Sequence, residues 1–441
     1  MDSLNIAAFT SVYGMGGSQN STVSLCNALA ERGHKVTLYC PVNEMFSHVE
    51  PKINLYNLPV NRLDPAHFGN VSIGNITETI KQIRKARHDV ILSFLHQSLF
   101  LGVPLLFLEN VPCVHYVLGP VWSPIMKISP GTFIANCEET RGIIARGKKC
   151  DPAKIPVIRA RVDIEALEAE FRGSDVIKKY KPSEGVCQIV MLSRFYKSKM
   201  PGIVNVLGAL KSMADSQRSF RFLLAGEGPR REEIERRITE INDVAGRGVA
   251  KLVGYVGDVG SFLSAADIVI GIGRGAFEAM ALGKCTLVVG NLGYAGTVCS
   301  EQVSGLAYYN FAGRNVKEDR DPDILAKELM RLLKDEKTRS GLGQFAQQYL
   351  KENFAAQIGA KQFEDILLAE KGLAKTTEFG SLRNWARYLS YYFIWGCTGL
   401  GKRIMRPNRP KEQFDLIART RKSGARFCLG QSEVWKNTSK K

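Results

Sequence analysis

The sequence predicts an α/β protein made of two doubly wound parallel sheets that face each other across a cleft. Apolar runs of strand length alternate with helical segments, which is typical of sheets covered by helices on both faces. The alternation begins at residues 4–10, stops at a polar stretch at 171–185, and then restarts. Because one core rarely serves 441 residues, we expect three parts: domains at 1–170 and 171–370, and an extension at 371–441.

In the first half, the strand at 4–10 is followed by the loop SVYGMGGSQN and a helix from about residue 21 to residue 32. Glycines in that loop, among them Gly16 and Gly17, allow a ligand to approach the backbone closely. The loop is not G-x-G-x-x-G, and no well-placed acidic residue follows the next strand, which argues against a nicotinamide cofactor. Further strands are predicted at 36–40, 88–94, 112–118 and 131–137.

The second half repeats this order of elements. Strands are predicted at 186–193, 220–226, 251–256, 268–270 and 285–289. Helices are predicted at 201–214, 230–242, 260–266, 276–282, 321–334 and 338–352. Ligands of such sheets bind beyond the carboxyl ends of the strands, so we expect the site in the cleft between the two halves.

A glycine loop after the strand at 268–270 is the centre of the predicted site. Gly271, Gly273 and Gly275 precede a helix whose amino end directs unpaired N–H groups at an anion, usually a phosphate. Glu278, predicted in the first turn, suits ribose hydroxyls, because a carboxylate accepts hydrogen bonds from OH groups and repels oxyanions. Alternatively, Glu278 only favours the helix dipole.

Two cations follow the first strand of the second half. Arg194 and Lys199 lie where this strand turns into its helix, and together they can hold a diphosphate from two sides. An isolated pair of this kind is otherwise solvated surface charge. Their position at the carboxyl end of a strand favours the binding role.

The basic charge is concentrated at the end of the chain. The net charge is +17, and residues 371–441 hold sixteen Lys or Arg against four Asp or Glu, which is +12 of that total. The start of the sequence enters a strand without an apolar leader, and the ten cysteines form no C-x-x-C pattern. We therefore expect a cytoplasmic protein with reduced thiols and a nearly neutral body, which excludes nucleic acid as a partner.

Five segments together resemble family 4 of the retaining glycosyltransferases, which have the GT-B fold of two Rossmann-like domains. In order they are MGGSQNSTVSLCNALAERGHKVTLYCP, VIRARVD, MLSRFYKSKMPG, LLAGEGPRREEIE and FEAMALGKCTLV. The resemblance covers about residues 1–370. It implies an enzyme, of the hexosyltransferase type, that transfers a sugar with retention from a UDP- or GDP-sugar, without cofactor or metal.

The resemblance also implies roles for individual residues. Arg194 and Lys199 would bind the diphosphate and stabilise the leaving nucleotide, and Glu278 would hold the ribose. These three are the predicted catalytic residues. The predicted donor-binding residues are Gly16, Gly17, Arg194, Lys199, Gly226, Gly271, Gly273, Arg274, Glu278 and Gly293.

Two positions depart from the family pattern. The first glutamate of the family's Glu-x7-Glu is replaced by Ile270, and Leu118 stands where a histidine usually meets the donor sugar. His115 is a weak candidate for that contact, since strand parity directs it to the face opposite Leu118. Alternatively, His115 is a histidine of the protein core, and His96 is no better as a substitute.

Asp319-Arg320-Asp321 spells a D-x-D metal motif, but it precedes a helix and is expected to supply its N-cap.

These departures leave alternative functions open: a non-catalytic nucleotide-sugar-binding partner of another transferase, or an epimerase or hydrolase on the same fold. The extension suggests a location. Aromatic residues at 388–400 lie between Arg387 and Lys402, a pattern typical of segments at the lipid headgroup level. A peripheral protein that uses a lipid-linked or glycan acceptor in cell-envelope synthesis fits this pattern. The alternative is a terminal helix docked on the body of the protein.

Overall fold

The computed structural model describes residues 3–10, 17–40, 52–58, 80–94 without 82, 98–99, 110–160 without 130, 162–171, 180–374 without 217–218, 385–387 and 389–390. Residues 1–405 form one compact unit, and the second unit, 406–441, lies outside the described residues. Gly16, His96 and most of the predicted extension also lie outside them.

The first lobe is built on a six-stranded parallel sheet with the order β3-β2-β1-β4-β5-β6. Its strands are β1 (Asn5–Phe9), β2 (Lys35–Cys40), β3 (Asn54–Asn57), β4 (Val90–Phe94), β5 (Cys113–Val117) and β6 (Thr132–Ala135). Its helices are α1 (Gly17–Glu31), α2 (Pro124–Ile128) and α3 (Glu138–Lys148). The next helix in the chain, α4 (Ile164–Phe171), packs into the core of the second lobe instead. The strand order reverses between β1 and β4, which opens a crevice at their carboxyl ends, beside the start of α1.

The second lobe repeats this plan with the order β12-β11-β10-β7-β8-β9. Its strands are β7 (Cys187–Leu192), β8 (Phe220–Ala225), β9 (Ala250–Gly254), β10 (Ile268–Gly271), β11 (Cys285–Gly290) and β12 (Gly293–Thr297). All neighbours are parallel except β11 and β12. The order reverses between β7 and β10, so the residues that follow these two strands line the crevice of this lobe.

The helices of the second lobe follow its strands in the expected alternation. They are α5 (Met200–Ser212), α6 (Arg231–Ala245), α7 (Val259–Ser264), α8 (Arg274–Ala281), α9 (Val303–Tyr308), α10 (Pro322–Leu333), α11 (Glu336–Phe354) and α12 (Ala356–Ala374). The two sheets and their helices confirm the predicted fold class. Among the elements that the prediction missed are β3, the antiparallel strand β12, α9 and the separate helix α12.

Helix α12 returns to the first lobe, although the predicted domain 171–370 places it with the second. Phe363 lies 4.8 Å from the Tyr116 ring, and Leu367 belongs to the same buried cluster. Buried Glu364 forms an ion pair with Arg32 of the first lobe, and its Oε1 lies 3.1 Å from Nε2 of His34. The chain crosses between lobes twice at one place, where Val162 pairs with Ala355.

Candidate functional site

The glycine loop between β10 and α8 has the predicted form. Gly273 has φ +54° and is the N-cap of α8, so the first turn begins at Arg274. A Cβ on Gly271 would lie 3.0 Å from the backbone nitrogen of Ala276, so a side chain there would require the backbone to shift by a few tenths of an ångström. Glu278 corrects one prediction, because it lies in the second turn of α8 and not in the first.

Glu278 is engaged by a neighbour on its own helix. Its Oε1 accepts a hydrogen bond from Arg274 Nε at 2.7 Å, and the two side chains are only 13% and 11% exposed. The sequence places both residues in the donor site but does not predict this pair. Arg274 thus fixes the position of the Glu278 carboxylate.

The first lobe approaches the same helix end. Gly17 begins α1, and a Cβ built on it would lie 3.0 Å from Cβ of Arg274. The amino ends of α1 and α8 therefore meet across the cleft. Each end carries a partial positive charge, and two together create a positive potential that favours an anion between them.

Arg194 and Lys199 follow β7 at the crevice of the second sheet. Lys199 is the N-cap of α5 and is half-buried, while Arg194 is exposed. Burial lowers the pKa of the Lys199 amine, and the positive charges of Arg194 and Arg314 lower it further. Within the described part of the chain, no carboxylate lies within ion-pairing distance of Arg194 or Lys199. These two cations repel each other and have no anionic partner among the residues that the structure describes.

The turn at Gly226 and Gly228 packs against the segment that follows β7. A Cβ on Gly226 would lie 1.8 Å from the carbonyl oxygen of Ser193, and Phe195 N–H donates to the Glu227 carbonyl at 2.9 Å. The turn therefore packs on the segment that carries Arg194. Gly293, also predicted in the site, approaches α5, since its Cβ would lie 2.8 Å from Asn205 Nδ2.

A third cation, Arg314, joins the site, and the sequence did not predict it. Its guanidinium forms a forked ion pair with Glu139 of the first lobe, with Nε at 3.0 Å and 2.8 Å from the two carboxylate oxygens. The segment before it is fixed to the glycine loop, because Gly273 N–H donates to the Phe311 carbonyl at 2.8 Å. The segment that carries Arg314 is thus bound to the glycine loop, and the charge of Arg314 acts on Lys199.

His115 lies in the core and not at the cleft. It is 2% exposed, and its ring packs on Phe133 with 4.6 Å between centroids. Both ring nitrogens have partners, Ser129 Oγ and Cys113 Sγ. Burial, and then the charge of Lys148, lower the pKa of His115 to about 3. These contacts favour the core histidine over the sugar contact.

Ile270 and Leu118, the two positions that depart from the family pattern, are buried core residues. Asp321 caps α10, as predicted, because its carboxylate accepts a hydrogen bond from Asp323 N–H at 2.9 Å.

Two surface pockets lie elsewhere on the second lobe. One is lined by Cys187 and Asp267 at the amino ends of the strands, and the other surrounds Tyr294 beside α10. Neither is at the crevice.

No helix in the described part of the chain is both long enough and apolar enough to cross a membrane. From the predicted extension, Trp385 packs against the first-lobe core formed by residues such as Phe9 and Ile91. The aromatic residues at 391–400 lie outside the described residues.

Two family models match the chain in succession. Residues 15–166 match Glycosyltransferase Family 4, and residues 174–349 match Glycosyl transferases group 1. Together they cover most of both lobes. No protein with a curated description matches the chain significantly.

Solved structures share the fold at low identity. A glycosyltransferase from Rickettsia africae superposes with a TM-score of 0.62 at 16% identity, covering 84% of this chain and 99% of that one. HepE from Anabaena, solved with UDP and glucose, superposes with a TM-score of 0.59 at 14% identity, covering 83% of this chain and 100% of that one. WaaG, a glycosyltransferase involved in lipopolysaccharide biosynthesis, superposes with a TM-score of 0.56 at 14% identity, covering 82% of this chain and 99% of that one.

The two domain matches follow one another in the order that the two lobes require, and the paired sheets and the cleft have the GT-B arrangement. The chain therefore belongs to the group 1 glycosyltransferases and is a glycosyltransferase with the GT-B fold.

Proposed function

We propose that the protein transfers a sugar, with retention and without a metal ion, from a nucleoside-diphosphate sugar to a glycan or lipid-linked acceptor. The observation that carries this proposal is the pair Arg194 and Lys199 at the crevice between β7 and β10, which has no carboxylate partner in the described part of the chain. Two cations that repel each other cost free energy unless an anion joins them. The diphosphate of the donor is that anion.

The diphosphate lies, in this proposal, between the cations and the amino ends of α1 and α8. As the bond to the sugar breaks, negative charge grows on the leaving phosphate, and Arg194 and Lys199 stabilise it. Fixed side-chain cations thereby take the role that a metal ion has in other transferases. Glu278, held in place by Arg274, accepts hydrogen bonds from the ribose.

The sugar side of the site holds few acid or base groups. Ile270 and Leu118 are apolar, and both ring nitrogens of buried His115 are engaged. The leaving phosphate itself then accepts the proton of the attacking hydroxyl, on the face from which it departs. That geometry gives retention, and closure of the lobes positions the reactants.

UDP is the first nucleotide to test, since HepE was solved with it. Purified protein is incubated with UDP- and GDP-sugars with EDTA present, and nucleotide release is measured with and without glycan and lipid-linked acceptors. We expect release that depends on an acceptor, and NMR of the product should show the donor's anomeric configuration. An absence of release and of thermal stabilisation with every donor would contradict the proposal.

We also propose that the basic, aromatic extension brings the protein to anionic lipid, where a lipid-linked acceptor for cell-envelope synthesis would be found. The +12 charge supports this, at about 1 kcal/mol for each basic residue near the surface. Truncation after residue 375 should move the protein from vesicles of anionic lipid to the soluble fraction. Equal vesicle binding by both forms would refute this part.

A further inference from the structure

Arg314 and Glu139 form an ion pair that connects the two lobes at the cleft. Both nitrogens that face the carboxylate, Nε and Nη2, donate to it, and the Arg314 side chain is 39% exposed against 18% for Glu139. Glu139 lies in the first turn of α3, just beyond the carboxyl end of β6. The pair is therefore at the edges of both sheets that face the ligand crevice.

The segment that presents Arg314 is held in an uncommon conformation. Asn310 and Phe311 have φ +53°, a backbone angle that residues other than glycine rarely adopt. Gly313 has φ +72°. A Cβ on Gly313 would lie 2.5 Å from Cα of Gly290, and Asn315 Nδ2 donates to the Ala295 carbonyl. Such backbone conformations are concentrated at ligand sites, where the surrounding structure imposes them.

Arg314 is also a member of the cationic group described above. Its charge acts on Lys199 together with that of Arg194, so both arginines lie within electrostatic range of the Lys199 amine. Arg314 alone of the three has a carboxylate partner among the described residues. A forked carboxylate on an arginine has the same hydrogen-bonding geometry as a phosphate oxygen pair.

We propose that Arg314 is a third diphosphate-binding residue of this enzyme, and that Glu139 occupies its guanidinium until the nucleotide-sugar diphosphate replaces the carboxylate. This inference rests on the proposed function. Binding breaks the hydrogen bonds from Nε and Nη2 to Glu139 and forms hydrogen bonds from the same nitrogens to phosphate oxygens, so the guanidinium remains paired throughout. Glu139 then returns to water at the amino end of α3, where the helix dipole favours its charge.

A purely structural tie between lobes makes a different prediction. In that case removal of either partner would change nucleotide binding in the same direction. If Glu139 competes with the diphosphate, the two partners of one ion pair have opposite effects on affinity. This difference in sign makes the proposal testable.

The test is titration calorimetry of full-length protein with UDP, GDP and the corresponding nucleosides. The variants are Arg314→Gln, Glu139→Gln and the double variant. Arg320→Gln removes an exposed cation from the same segment, and Glu138→Gln removes the neighbouring carboxylate, which pairs with Arg141. These two serve as controls, and thermal denaturation checks that each variant is folded.

We expect Arg314→Gln to weaken binding of the diphosphate about 10- to 100-fold and to leave nucleoside binding unchanged. Glu139→Gln should tighten binding about two- to fivefold. The double variant should match Arg314→Gln alone, and both controls should match wild type. Equal affinity of Arg314→Gln and wild type, or weaker binding by Glu139→Gln, would overturn this inference while leaving the proposed function intact. Failure of wild-type protein to bind either diphosphate would overturn both.

Discussion

Substitution of Lys199 should affect nucleotide binding and the free energy of unfolding in opposite ways. We consider Lys199→Met, which keeps most of the aliphatic volume and removes the charge. In the free protein this amine is half-buried and is repelled by Arg194 and Arg314, and these effects together lower its pKa. The charge therefore contributes nothing favourable to folding, and its removal should leave the free energy of unfolding unchanged or raise it.

The effect on nucleotide binding has the opposite sign. A charge-assisted hydrogen bond to a phosphate is worth about 1.5 to 3 kcal/mol, and Arg194 and Arg314 remain in the variant. At about 1.4 kcal/mol for each factor of ten, affinity for the diphosphate should fall about 10- to 150-fold. Binding of the nucleoside alone should be unaffected, because the lost contact is to phosphate.

The assay combines calorimetric titration with UDP and GDP and urea unfolding of the free protein. Lys197→Met is the matched control, since Lys197 is exposed on the same turn. This control should leave affinity within about twofold of wild type, in keeping with the small effects of surface substitutions. Lys199→Met that binds the diphosphate as wild type does, or that loses more than about 1 kcal/mol of stability, would refute the reasoning.

Two further predictions concern the support of the site and the core. Gly226→Ala should destabilise the second lobe by about 2 kcal/mol or more, because φ is +145° and the new Cβ would lie 1.8 Å from the Ser193 carbonyl. The control Gly185→Ala has φ +76° but open space around its Cβ and should cost only about 1 kcal/mol in urea unfolding, so equal losses would contradict the packing argument. For His115, the folded pKa of about 3 lies below the ordinary 6.5, so the unfolded state binds more protons as pH falls through 6.5. Lowering pH from 7.5 to 5 should therefore cost about 2 kcal/mol through this residue. His115→Gln should reduce the pH dependence of the free energy of unfolding and leave UDP affinity unchanged. An unchanged pH dependence, or a loss of UDP affinity, would contradict the role of His115 as a core residue.

The sequence predicts those parts of the site that depend on local order. Arg194 and Lys199 follow a strand whose carboxyl end can be located from its apolar pattern, and Gly271 and Gly273 precede a helix. Strand parity likewise predicts that His115 and Leu118 face opposite sides of the sheet, and the two core clusters bear this out. Such local patterns fix where a residue lies along an element.

Contacts between distant segments were not predictable in this way. Arg314 and Glu139 are 175 positions apart, and nothing in either segment indicates the other. Helix α12 was assigned to the second lobe because it follows that lobe in the chain, whereas Phe363 and Glu364 find their partners in the first. Glu278 was placed one turn too early because the start of α8 depends on the conformation of Gly273.

The central claim is that the donor diphosphate lies between the amino ends of α1 and α8 and contacts the cations after β7. A crystal structure with UDP, or with GDP if that nucleotide binds more tightly, tests it most directly. The account predicts phosphate oxygens within about 3.2 Å of Lys199 Nζ and of the Arg194 guanidinium. A nucleotide seated instead in the pocket beside Cys187 and Asp267, or in the one around Tyr294, would contradict it.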